Sequence, residues 1–585
     1  MKFRDALGRW LEQYDLALYL VLFLASLFLR LSTLSASPLN ENEALQAWGA
    51  LHLLRGSGAV GGSSALFASL TAGILFLAGP SHWAPRIVPA LAGSLLVFLP
   101  LIFRPTRGKL ESALAALLIA LSPSLWIVST LAGGAGLGLL AAAACIFFLR
   151  GGQSRPATGG ILLGLALAAG TVGWSGLAIA LIVLAVDWAW RRARPEEQTA
   201  RVSDPLKESL TKIFQSPAGL AGLAVGIAAG STGMFFFPRG AGVLATGMTD
   251  WLAAFFSGWP KLGEFILLMV AYEPLALVFG VAGLVLLRRT QLSAEDRFLA
   301  LFAGVASLWV LIRPAAFPAD ALWVILPLLL LGARALRAAV ESQALDERPL
   351  FIAIQFCLTI LLILFSAFSL AAYSATGEWW QLLLALAGIV VSLLFGPILS
   401  DDWRRAIVPS LVGLGCAWFL ILFFVQAGAG WNATHDRRES ANELWWADTV
   451  PMDIIQLHQA MDQISEWQTG EPGELPAVIE WPEDSALGWE LLTYRAAQYL
   501  AEADLLATPA VIVAPRVVQG NGVVAPQLTV AYRGEEFGSV EQRGWSGLPP
   551  DLISWLLYRR GPLLTGQMIL WTRVDILAPD AGGGA

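Results

Sequence analysis

Charge is scarce in this chain. Asp, Glu, Lys and Arg make up 14% of its 585 residues, little more than half of the roughly 25% usual for soluble domains. Neither a disordered polyelectrolyte nor a basic nucleic-acid binder is built that way. Cysteine is scarcer still: Cys145, Cys357 and Cys416 all lie in apolar runs, so no disulfide framework is implied. His52 and His82 stand alone, without a partner at metal-binding spacing. There is no Walker loop, dinucleotide fingerprint, zinc motif or Ser-His-Asp pattern. What the chain has in excess is apolar surface. Hydrophobic residues reach 56% and mean hydropathy is +0.65. A water-soluble protein of this length cannot hide so much of it, so most of the chain must face lipid or other membrane helices.

The charge is also divided. Residues 427–585 hold 9 basic and 21 acidic residues, whereas the preceding 426 hold 28 and 23. This predicts a transmembrane domain over 1–426 and a soluble, acidic domain over 427–585. Thirteen apolar stretches near spanning length occur at 15–34, 83–103, 110–128, 132–149, 158–172, 174–190, 217–237, 264–287, 298–313, 319–336, 350–373, 379–399 and 406–427. With thirteen spans and a cytoplasmic N-terminus, the inner segments carry 22 basic residues. The outer side of the membrane body keeps only Arg55, Arg86, Arg239, Lys261 and Arg313. Residues 65–79 read as an interfacial or re-entrant helix, and Arg30 as a snorkelling charge near the outer end of the first span. The acidic domain then lies outside a plasma membrane. Its expected elements are an amphipathic helix at 451–468, β-prone runs at 476–480, 509–514, 526–532 and 567–574, and helical pieces at 488–502 and 550–559. The fold class is thus an α-helical polytopic membrane protein with a small extracytoplasmic α/β domain.

Chemistry is sought where polar groups meet the membrane boundary. The first outer loop opens with Asn40-Glu41-Asn42-Glu43. A carboxylate there can deprotonate a hydroxyl or hold a divalent cation such as Mg or Mn against a phosphate. Asn40 and Glu43 equally fit a capping box at a helix start. Residues two apart project to different sides of a helix, so Glu41 and Glu43 cannot both aim at one site. Glu273, in the middle of the expected span 264–287, is either a functional ionisable group or one held by neighbouring backbone. Arg86 can grip a phosphate through paired hydrogen bonds or anchor a helix end. Arg313 and Lys261 are weaker versions of the same idea. Glycine runs such as Gly159-Gly160 suit close helix packing.

Several stretches resemble a known family. NEALQAW (42–48) resembles an Asp-Glu-Ala motif, and APRIVPALAGSLLVFLP (84–100) resembles a second-span signature that includes Arg86. LSPS (121–124), YEPL (272–275), ELWWADTVPMDI (443–454) and WELLTYR (489–495) follow in order. Together they resemble the GT-C membrane glycosyltransferases of the glycosyltransferase-39/dolichyl-phosphate-mannose–protein mannosyltransferase-like group, in particular the prokaryotic flippase-activity-associated glycosylation branch. The resemblance implies transfer of a sugar from a polyprenyl-phosphate donor to a protein or glycan hydroxyl at the outer membrane face. Glu43 or Glu41 would then be acid/base or cation partner, with Asn42, Arg86, Glu273 and Arg313 binding substrate. Asn42 replaces the motif's Asp, and 125–138 carries no charge where the family has Arg. A relative that binds lipid-linked sugars without turnover, or assists a glycosylation complex, is the alternative.

Overall fold

The computed structural model describes residues 3–57, 62–151, 155–193, 205–287, 293–342, 344–398, 403–438, 440–500, 508–519, 522–523 and 530–577. Each of the thirteen apolar stretches contributes helix, and among the described residues six helices are long and apolar enough to cross a membrane. Three further candidates are bent pairs, and the bends revise the simple span picture. Residues 110–128 break by 53° between Lys109–Leu121 and Pro123–Thr130. The expected span 264–287 turns by 98° between Leu262–Tyr272 and Pro274–Leu287. Glu273 therefore sits at a corner, where Pro274 opens the second helix without needing an amide hydrogen bond. The stretch 217–237 stops at Thr232, where Gly233 takes a left-handed conformation at φ 55°. The apolar helix Ala65–Ala78 packs against the loop helix Glu41–Arg55 and the helix Ala84–Leu95.

Small residues decide one helix pair. A Cβ on Gly160 would lie 2.2 Å from the Gly219 carbonyl, one on Gly164 2.5 Å from that of Leu223, and one on Gly226 2.4 Å from that of Ile161. The helices Pro156–Ala168 and Pro217–Thr232 thus meet backbone to backbone, the close packing expected of the glycine runs. Arg30 does not snorkel. It is buried, and donates to Ser129 Oγ (2.8 Å) and the Ser26 carbonyl (3.0 Å), which replaces part of the water it would otherwise seek.

After the long helix Trp403–Thr434 the chain forms a six-stranded mixed sheet. Its spatial order is Asp448–Thr449, Tyr532–Arg543, Leu563–Arg573, Val511–Pro515, Ala477–Ile479 and Ala497–Tyr499. Of the apolar residues spaced along one face of the helix Asp453–Thr469, Ile454, Leu457 and Met461 are buried and Ile464 half-buried, while Trp467 near its end is exposed. The expected helix 488–502 ends early: Ala486–Glu490 is helical, but Ala497–Tyr499 pairs in parallel with Ala477–Ile479. Sheet-edge pairing there overrides local propensity. The expected strand 526–532 falls largely outside the described residues; the long strand starts at Tyr532 and hairpins with Leu563–Arg573.

The sheet domain docks on the first loop. Trp48 donates its indole N–H to the Ser485 carbonyl (3.1 Å) and meets Trp489 edge to face. His52 contacts Asp484 at 2.8 Å and His82 contacts Glu490 at 3.0 Å. His458 reaches the other oxygen of Glu490 at 3.3 Å. Three of the four histidines therefore lie on carboxylates of the sheet domain.

Candidate functional site

A cavity of about 540 Å³ lies where the bundle and the sheet domain meet. One wall is the start of the loop helix, with Asn40, Asn42, Glu43 and Gln46. A second is the turn 131–135 between two helices. Lys261, Glu264 and the segment 315–320 form a third. The sheet domain closes it with residues 444–448 and Arg543. Asp448 and Arg543 come from neighbouring strands, since Asp448 pairs with Gln542.

The loop helix starts with the expected capping box. Glu43 N–H donates to Asn40 Oδ1 (2.8 Å), and Asn40 N–H to Glu43 Oε2 (3.2 Å). The same carboxylate is gripped by Arg86, through Nε to Oε1 (2.8 Å) and Nη2 to Oε2 (2.6 Å). The Ala132 N–H adds a bond to Oε1 (2.8 Å), and Arg438 approaches to 3.9 Å. Burial alone would push this carboxyl up; the Arg86 and Arg438 charges and the Ala132 amide outweigh it and hold the pKa at about 2.

Arg86 is not where a phosphate-binding role would put it. It is fully buried and does not line the cavity. Its remaining N–H groups donate to the carbonyls of Leu34 (2.9 Å), Ser37 (2.8 Å) and Pro38 (2.9 Å). All five donors of the guanidinium are thus used inside the protein. Glu41 also diverges from the expectation. Its carboxylate accepts the Ala486 N–H (3.1 Å) of the sheet domain and is absent from the cavity wall. Its pKa is raised, by burial and by Asp448, against the pull of that amide. Glu41 and Glu43 therefore do not fit a shared divalent cation, because each carboxylate is committed elsewhere. Among the described residues, no three His, Cys, Asp or Glu side chains gather as metal ligands.

Glu273 is fully buried at its corner, away from the cavity. It accepts from Ser122 Oγ (2.5 Å) and the Ser124 N–H (2.9 Å), so it caps the helix Pro123–Thr130. Gln426 donates to its other oxygen at 3.4 Å. The structural alternative for Glu273 is the arrangement seen, and it joins the LSPS and YEPL stretches. The neighbouring Tyr272 hydroxyl meets Glu443, so YEPL also holds the ELWW stretch. Arg313 lies behind the cavity wall, enclosed by Trp251, Phe255 and Trp309. It donates to Ser175 Oγ (2.5 Å) and the Trp251 carbonyl (3.1 Å), and pairs with Asp320, which does line the cavity.

The charged groups left facing the cavity are Lys261, which the sequence offered only as a lesser candidate, and Glu264, Asp448 and Arg543, which it did not single out. Lys261 makes a cation–π contact with Phe317 at 5.7 Å. Arg543 commits Nη2 to the Glu443 and Trp446 carbonyls (2.8 and 2.9 Å), while its buried Nε has no acceptor. Of the four cavity carboxylates, Glu43 and Asp320 are ion-paired, which leaves Glu264 and Asp448. Asp448 had been visible only as part of the ELWWADTVPMDI stretch.

Two solved structures share this architecture. Crystal structures of ArnT from Cupriavidus metallidurans, a GT-C glycosyltransferase, superpose over most of the chain. The form bound to undecaprenyl phosphate gives a TM-score of 0.50 at 14% identity, covering 83% of this chain and 86% of ArnT. The apo form gives 0.51 at 16%, covering 84% and 87%. The chain has the GT-C fold. No protein-family profile matches the sequence, and no curated protein does. The cavity lies at the junction of the bundle and the C-terminal sheet domain.

Proposed function

We propose that this protein is a membrane glycosyltransferase that moves a sugar from a polyprenyl-phosphate donor to an acceptor hydroxyl on the extracytoplasmic face. The observation that carries this reading is the cavity between bundle and sheet domain, which offers two incompletely committed cations, Lys261 and Arg543, beside carboxylates. A phosphodiester needs cationic donors that strengthen their hold as the phosphate leaves with the bonding electrons. Lys261 and Arg543 fit that task better than Arg86. The GT-C fold and the undecaprenyl phosphate bound by ArnT point the same way. The acceptor is a protein or glycan hydroxyl reaching the cavity from water, and the presence of Asn42 on the cavity wall supports a role for its amide in orienting a sugar hydroxyl.

The test is binding and turnover in nanodiscs. Wild-type protein is expected to bind undecaprenyl phosphate and to transfer label from a polyprenyl-phosphate sugar. Lys261→Ala and Arg543→Ala are each expected to weaken lipid-phosphate binding about tenfold or more, since a charge-assisted hydrogen bond contributes roughly 1.5–3 kcal/mol. Unchanged affinity in the double variant would remove the cavity from the reaction. The second reading, a binder without turnover, is favoured by the amide at Asn42; it predicts lipid binding with no transfer across donors and acceptors.

A further inference from the structure

An acceptor hydroxyl attacking a sugar C1 must lose its proton, and the first loop supplies no free base. Asn42 faces the cavity but is an amide, unable to take a proton near neutral pH. Glu43 has both oxygens tied to Arg86. Glu41 points to Ala486, and Asp320 is paired with Arg313. Two cavity carboxylates remain. Glu264 lies close enough to Arg543 for its charge to act on that guanidinium. Asp448 sits beside the start of the loop helix, on the same cavity as Asn42 and close enough to the Glu41 backbone N–H for that dipole to act on its carboxyl.

Resting on the transfer reaction proposed above, we infer that Asp448 is its general base, so that the sheet domain supplies the carboxylate lacking at position 42. The Asp448 carboxylate takes the proton from the acceptor hydroxyl as the oxygen forms its bond to C1. The C1–O bond to phosphate breaks, and the polyprenyl phosphate leaves with that electron pair, facing Lys261 and Arg543. The Glu41 N–H can occupy at most one of the roughly four lone-pair sites of the carboxylate, so acceptor sites remain. Burial and the nearby charge of Glu43 raise the affinity of Asp448 for a proton, against the pull of the Glu41 amide, which favours it as a base over Glu43. The charged groups sharing the cavity with it are Glu43, Glu264, Asp320, Lys261 and Arg543, with Glu41 just behind.

A bland role is also available to Asp448: capping the loop helix. Asp448→Asn separates the two, because Asn can still accept the Glu41 N–H but cannot take a proton. In nanodiscs, kcat is expected to fall about 100-fold or more, with the donor KM within about threefold and undecaprenyl phosphate binding retained. Asp448→Ser, which also keeps an acceptor, should behave alike and serves where Asn impairs folding. Adding Asn42→Asp to Asp448→Asn should recover kcat about tenfold or more, a rescue that no capping role produces. If both single variants keep kcat within about threefold of an active wild type, Asp448 is not the base, while sugar transfer stands. A wild type that binds the lipid but transfers no sugar overturns both.

Discussion

Arg86→Met is the perturbation whose outcome is best fixed by geometry. It strips Glu43 of its countercharge and the carbonyls of Leu34, Ser37 and Pro38 of their donors, all inside the protein. Two routes give the cost. The Glu43 carboxyl is held at about 2 against an ordinary 4.5, which at ~1.4 kcal/mol per pH unit is about 3 kcal/mol. Removing one partner of a buried ion pair costs about 3–5 kcal/mol. Urea or thermal unfolding in nanodiscs at pH 7 should therefore show a loss of roughly 3–5 kcal/mol. Glu43→Gln added to Arg86→Met should restore part of it, because the carboxylate deprived of Arg86 is then neutral, and only part because Arg438 loses its carboxylate neighbour. The pH dependence has a definite sign. A depressed carboxyl stabilises fully above 4.5 and loses that contribution as pH falls towards 2, so the wild type should weaken over that window and Arg86→Met much less. The reasoning is refuted if Arg86→Met unfolds at the wild-type point but has lost affinity for undecaprenyl phosphate. That result would put Arg86 on the ligand.

Two more outcomes follow from contacts already described. Glu490 is held at about 2 by its two histidine partners despite burial, and His458 is raised by Glu490 and Asp462 although burial opposes it. The Glu490 contribution is full above 4.5 and lost as pH falls towards 2; the His458 contribution is full below 6.5 and lost as pH rises through its folded value. Hydrogen exchange at 484–493 should thus be slowest between about pH 4.5 and 6.5, and Glu490→Gln should flatten that profile; an unchanged profile in the variant would discard the clasp. Gly164→Leu should prevent the helices Pro156–Ala168 and Pro217–Thr232 from closing, since its Cβ alone would meet the Leu223 carbonyl at 2.5 Å; a monodisperse, normally stable variant would contradict this packing.

How far the sequence reveals this molecule depends on the range of the interaction. Hydropathy is local, so every expected span found helix. The capping box of Asn40 and Glu43 was legible for the same reason, its partners being three residues apart. The 98° corner at Glu273 was not, although Pro274 marks the spot, because proline also opens straight helices. The cavity was largely hidden. Nothing near Arg86 in the sequence tells that its five donors are used by residues 43–52 positions away. Likewise, His52 and His82 looked isolated because their partners lie more than 400 positions on. Asp448 could be found only by knowing that its two-residue strand joins a sheet edge facing the first loop.

The cavity draws its walls from Asn40 at one extreme and Arg543 at the other. A chain clipped before its final two long strands would own the membrane bundle and Asp448 yet lack Arg543, one of the charges that face the cavity. Such fragments cannot form the cavity, which closes only once the sheet domain has folded and settled on the first loop.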